Sequence, residues 1–161
     1  MNRIRVMDET LANKIAAGEV VEKCSSIVKE LCENSIDAKA TRIDVTLLEG
    51  GKKGIEVMDD GIGMSKEDAR LAFQRHATSK IYKDDDLFFI DTLGFRGEAL
   101  PSIASVSRTE MNTSDGEDGT HIIIEGGKLL CEEPGPLKKG TTIKITNLFY
   151  NTPARLKYLK S

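Results

Sequence analysis

Apolar residues first return at helical spacing where Ile27, Val28, Leu31 and Cys32 form one arc of a helix that Ser25 or Ser26 can cap and that runs to about Ala38. Upstream, Asp8 can cap a shorter helix with Leu11 and Ile15 on one face and Gly18 placed to end it. The period then changes to two. Residues 42–48 put Ile43, Val45 and Leu47 on one face, and residues 55–58 follow a Gly50-Gly51-Lys52-Lys53-Gly54 turn, which together read as a hairpin. Ser65 with Asp68 resembles a capping box and opens a helix ending near Phe73. From residue 74 to 97 the periodicity fades, and a loop of that length in a compact domain tends to be a functional lid. A short helix over 98–104 places Pro101 in its first turn, where the missing N–H costs little. Four strands are predicted near 108–113, 120–125, 128–132 and 141–146, with turns at Asp115-Gly116 and Gly126-Gly127. Helices around such strands imply an α/β fold, a two-layer sandwich of helices on a mixed, mainly antiparallel sheet. No internal repeat, low-complexity tract or linker divides residues 1–161.

Composition narrows the picture without naming a function. A chain of 161 residues suits one domain, with 39% apolar and 30% charged residues as in an ordinary soluble protein. Arg3 and Arg5 are not followed by an apolar stretch, since Asp8, Glu9, Asn13 and Lys14 interrupt it, so neither secretion nor a membrane span is expected. Cys24, Cys32 and Cys131 are odd in number and lack zinc-ligand spacing, which fits free thiols. A net charge of −3 argues against a surface given over to nucleic acid, although Lys138-Lys139 and the run Arg155, Lys157, Lys160 are local basic patches.

Three groups of residues carry candidate chemistry. Glu30, Asn34 and Asp37 lie at i, i+4 and i+7, one stripe bordering the apolar arc of their helix. A half-buried carboxylate there can take a proton from water, and an amide oxygen can ligate a hard cation such as Mg²⁺; the same spacing also describes a solvated helix surface. Asp59-Asp60-Gly61-Ile62-Gly63 follows an apolar strand directly. Its glycines allow close approach of a flat ring while a carboxylate accepts from an exocyclic amine, and it also reads as a simple turn. In the lid region, Thr78-Ser79-Lys80 precede Gly94-Phe95-Arg96-Gly97-Glu98-Ala99-Leu100, a glycine-containing loop running into a helix N-terminus, which suits phosphate. No Walker A sequence is present, so a nucleotide must be held by another architecture. His76 and His121 read as positioning and strand residues rather than catalysts, and Phe95, Phe149 and Tyr150 as packing rather than base-stacking platforms.

In order along the chain, Glu30xxxAsn34, DDGIG at 59–63, RHATSKI at 75–81, GFRGEAL at 94–100 and GTT at 140–142 resemble the GHKL superfamily of gyrases, heat-shock chaperones, histidine kinases and the mismatch repair family MutL. NKIAAGEVVE at 13–22, KELCENSIDA at 29–38 and LFYNTPAR at 148–155 are similar to MutL specifically, and with the other motifs cover nearly the whole chain. The resemblance implies the Bergerat ATP-binding fold. It implies ATP and Mg²⁺ as ligands, Glu30 as general base, Asn34 as metal ligand and Asp37 beside them. It also implies Asp59 on the adenine amine, Gly61 and Gly63 beside the ring, Thr141 at the adenine end, Thr78, Ser79 and Lys80 in the lid over 74–97, and residues 94–100 on the phosphates.

At the level of function, the resemblance implies slow ATP hydrolysis driving a dimerisation switch through an N-terminal arm over residues 1–20. DNA and mismatch-recognition, endonuclease or helicase proteins would be partners of the full-length protein, in the cytoplasm at the nucleoid if bacterial. The alternative is a nucleotide-binding, partner-contacting module with negligible hydrolysis, since the family continues past LFYNTPAR into a second subdomain that this sequence lacks. Two departures stand out: Asp60 where the family usually has Asn, bringing negative charge near the metal, and Lys23-Cys24-Ser25-Ser26 where it has Arg-Pro-Ala-Ser.

Overall fold

The structure, a computed structural model, describes residues 24–74 and 96–160, leaving aside the side chains of 96–98 and 158–160. The expected helix near residues 8–18, the N-terminal arm, the lid with Thr78, Ser79 and Lys80, and Gly94, Phe95 and His76 lie outside the described residues.

Helix α1 (Cys24–Asp37) buries Ile27, Leu31, Ser35 and Glu30. Ser25 and Ser26 both lie inside it, so neither is its cap. Its other end is a Schellman arrangement: Lys39 takes a left-handed φ of 60°, Lys39 N–H donates to Ile36 C=O and Ala40 N–H to Ser35 C=O. That turn delivers the chain into β1 (Ile43–Leu48), which pairs antiparallel with β2 (Gly54–Asp59) through a 3₁₀ turn at Glu49–Gly51. Helix α2 (Lys66–Leu71) starts where Ser65 accepts from the Asp68 N–H at 3.1 Å, the cap read from the sequence.

Helix α3 (Arg96–Ser105) is longer than expected. Pro101 therefore lies past the first turn, where it cannot donate to the Gly97 carbonyl. The residue is fully buried, so packing against the core sets its position rather than N-terminal tolerance. Strands β3 (Arg108–Ser114), β4 (Gly119–Glu125), β5 (Lys128–Pro134) and β6 (Gly140–Thr146) complete a sheet ordered β1-β2-β6-β3-β4-β5. Every described pairing is antiparallel. Helix α4 (Pro153–Lys160), which the hydrophobic pattern does not announce, follows the last strand.

One face of the sheet carries the helices. Thr109, Met111 and Thr113 of β3 and Thr120, Ile122 and Ile124 of β4 are buried against it, while alternate residues face the open side. The core joins Ile27 and Leu31 of α1 to Ile55, Val57, Ile143 and Ile145 of the sheet and to Ile103 of α3. Val45 and Leu47 sit opposite Val57 and Ile55, on the helix side as their alternation requires. They remain 42% and 47% exposed because β1 is an edge strand. Phe149 is buried with Arg155 5.1 Å from its ring centroid, confirming a packing role; Tyr150 stays 42% exposed. No helix among the described residues is long and apolar enough to cross a membrane.

Candidate functional site

The end of β2 and the C-terminal half of α1 meet through Asp59. Its Oδ2 accepts from the Ser35 hydroxyl at 2.7 Å, and its Oδ1 accepts from Gly61 N–H at 2.9 Å and from Thr141 N–H at 3.2 Å. An ionised carboxylate offers about four acceptor positions, so these three donors leave roughly one for a further N–H. Ser35 is 2% exposed, and a hydroxyl so buried requires a partner; Asp59 supplies it. Thr141 is held in turn by the Thr113 hydroxyl at 2.8 Å, and Thr113 also accepts from Met64 N–H. Asp59, Gly61 and Thr141 thus belong to one hydrogen-bonded corner with α1, and Gly63 lies beside it, next to Met64.

The glycines of 59–63 have reasons of their own. A Cβ on Gly61 would stand 2.6 Å from the Ala38 carbonyl, whose oxygen accepts from Ile62 N–H. Gly63, at φ 68°, would place a Cβ 1.7 Å from the Ser114 carbonyl. Both are needed by the fold before any ligand is considered.

Along α1 the candidate stripe runs from interior to solvent: Glu30 is 8% exposed, Asn34 half-buried and Asp37 exposed. Ser35 follows Asn34 directly, so the helix that anchors Asp59 also carries Glu30 and Asn34. Asp60 turns the other way. Its carboxylate accepts from Thr41 N–H and hydroxyl and from Arg42 N–H, clipping the loop before β1. Those bonds, the Thr41 hydroxyl first, hold its pKa below the ordinary carboxylate value. The added charge expected near a metal is engaged with this loop instead.

Of residues 94–100, Arg96, Gly97 and Glu98 form the first turn of α3, while Ala99 and Leu100 are buried in the core. Phosphate contacts at Ala99 and Leu100 are therefore open only to backbone N–H groups. Sequence reasoning missed Ser35 and Thr113, although a serine on the apolar arc of α1 was the available signal for the first. A cavity of about 280 Å³ lies elsewhere, bounded by Arg70, Phe73, Pro101, Ile122, Leu129 and Glu132, and none of Glu30, Asn34, Asp59 or Thr141 lines it. The three cysteines are free and partly buried.

Residues 22–121 match the family described as histidine kinase-, DNA gyrase B-, and HSP90-like ATPase. The chain is 57% identical, over all of its length, to the DNA mismatch repair protein MutL of Bacillus pumilus, and 60% identical over 98% of its length to that of Shouchella clausii. It spans 26% and 24% of those relatives, about a quarter of their length. Among solved structures it is similar to the N-terminal domain of a DNA repair protein, with a TM-score of 0.76 and 31% identity over 96% of this chain and 46% of that one. It is also similar to the Aquifex aeolicus MutL ATPase domain complexed with ADP, with a TM-score of 0.64 and 32% identity over 88% of this chain and 49% of that one.

Proposed function

Since the chain belongs to the histidine kinase-, DNA gyrase B- and HSP90-like ATPase family, and within it to the MutL type, we propose that it binds ATP at the α1–β2 corner and hydrolyses it slowly through Glu30. The observation that carries this reading is the Asp59 carboxylate. Three protein donors fix it and leave an acceptor position for an exocyclic amine, on the same corner as the helix bearing Glu30 and Asn34. A purine with an amine there completes the acceptor set, and one without it leaves a partly buried carboxylate short of a donor, which is the basis of strong discrimination.

In this reading Glu30 accepts the proton of an attacking water as that water adds to the terminal phosphorus, and its near-complete burial supports the role. Burial on a rigid helix fixes the base without a loop having to order it. The donor chemistry of the stripe fits Mg²⁺: the Asn34 amide oxygen is a hard neutral ligand one turn beyond the carboxylate, and it would hold the ion. When bound, the ion neutralises phosphate charge. The first turn of α3, from Arg96 to Glu98, offers backbone N–H groups suited to phosphate, and the family resemblance assigns Thr78, Ser79 and Lys80, which lie outside the described residues, to the same end of the nucleotide.

In the longer protein, ATP binding drives association of two copies, and hydrolysis reverses it, in the service of mismatch repair with DNA, mismatch-recognition and endonuclease or helicase partners. That the similar Aquifex aeolicus MutL ATPase domain was solved in complex with ADP supports the ligand class. The test is Glu30→Gln in a full-length protein: nucleotide affinity stays within a few-fold and turnover falls by about 10²–10⁴. Turnover near the parent rate refutes the assignment. Measured on the 161-residue chain itself, turnover separates an ATPase from a module that only binds.

A further inference from the structure

On the open face of the sheet, away from the helices and the Asp59 corner, β3, β4 and β5 bring three polar side chains around one imidazole. His121 Nδ1 lies 2.9 Å from Glu133 Oε1, and His121 Nε2 lies 2.7 Å from Glu110 Oε2. Cys131 stands two residues before Glu133 on β5, on the same face, and pairs across from Ile123 beside the bulge in β4–β5. The His121 nitrogen, the Cys131 sulfur and a Glu133 oxygen all lie within 4.8 Å of one another.

We propose that His121, Cys131 and Glu133 form a binding site for one thiophilic divalent cation of the Zn²⁺ class, with Glu110 positioning the imidazole. A tetrahedral ion bound by N, S and O at ordinary zinc distances separates its ligands by about 3.3–3.8 Å, so small side-chain rotations close the present set. Glu110 supplies what metal-binding histidines usually have, a carboxylate on the second ring nitrogen that fixes the ring and leaves the first for the metal. Three protein ligands leave a fourth position for water. The thiol selects against hard ions such as Mg²⁺, so this site and the nucleotide corner take different metals. The open-face register also explains why the sequence did not reveal it: Cys131 and His121 lie ten residues apart on neighbouring strands, without a linear zinc motif. Binding would tie edge strand β5 to β4 and, through Glu110, to β3.

The test is titration of the metal-free 161-residue chain with Co²⁺, read by the thiolate-to-cobalt charge-transfer band and by competition with Zn²⁺. One equivalent is expected to give the band, excess Zn²⁺ to abolish it, and millimolar Mg²⁺ to leave it unchanged. Cys131→Ser is expected to remove the band, and His121→Ala and Glu133→Gln to weaken binding at least tenfold. Zn²⁺ should raise the melting temperature of the parent chain and not of Cys131→Ser, while circular dichroism checks that each variant is folded. No band at millimolar Co²⁺, a band that survives Cys131→Ser, or one lost instead in Cys24→Ser or Cys32→Ser overturns the proposal.

Discussion

Two adjacent aspartates at the end of β2 do different work, and their hydrogen bonds separate them. Asp59 points into the corner shared with α1 and Thr141, and Asp60 points to the loop at Thr41 and Arg42. Asp59→Asn replaces one acceptor oxygen with a donor in a site already filled with donors. ATP affinity should fall at least tenfold by calorimetry, and unchanged affinity counts against the adenine contact. Ser35→Ala removes a hydrogen bond to an ionised group, worth about 1.5–3 kcal/mol. It should lower affinity less than Asp59→Asn while leaving Glu30-dependent turnover of bound ATP measurable; no change in affinity separates Ser35 from the site.

Asp60 gives a pH-dependent signature at the same scale. Its folded pKa is depressed, so its stabilising effect is complete above the unfolded carboxylate value and disappears as pH falls through the folded one. Asp60→Asn keeps one acceptor oxygen and cannot titrate. Urea unfolding should show the parent losing stability relative to Asp60→Asn on acidification, with the gap levelling off below the folded pKa. Parallel stability profiles for the two chains would remove the role given to this clip.

At the scale of elements, turns constrain the corner as much as side chains do. Gly63→Ala would put a methyl within bonding distance of the Ser114 carbonyl at a left-handed φ, so either the 59–63 loop or the β3 end must move. A loss of at least about 2 kcal/mol in denaturant unfolding is expected, together with weaker ATP binding. A variant that unfolds like its parent shows that the turn has room the geometry denies. The elements most legible in the sequence are those with local causes: the alternation of 43–47, the Gly-rich turn before β2, and the Ser65 cap. Helix α4 escapes the pattern because its apolar period is weak, although Pro153 at its first position is a readable start signal. Pro101 sits later in its helix than the sequence suggests because α3 already runs from Arg96 rather than from Glu98. Asp59 is legible as chemistry; its anchor Ser35 is marked only as a hydroxyl on the apolar arc of α1, and which residue it bonds, 24 positions away, leaves no periodic trace.

At the scale of the molecule, α1 joins core and site in one rigid body. Leu31 and Ile27 pack under the sheet, while Ser35 on the same helix, next to Asn34, bonds Asp59 at the corner proposed for the nucleotide. A cavity beneath α1 should therefore damage both stability and binding. Ile145 provides the contrast: it is equally buried, but it pairs with Ile55, four residues along β2 from Asp59, about 13 Å at the strand rise. Leu31→Ala and Ile145→Ala should each cost about 2–5 kcal/mol of unfolding free energy. In calorimetry well below both melting transitions, only Leu31→Ala should weaken ATP binding, because only there does relaxation of the neighbours shift the helix that positions Glu30 and holds Asp59. Equal losses of affinity in the two variants mean that binding follows global stability, and the coupling assigned to α1 is then absent.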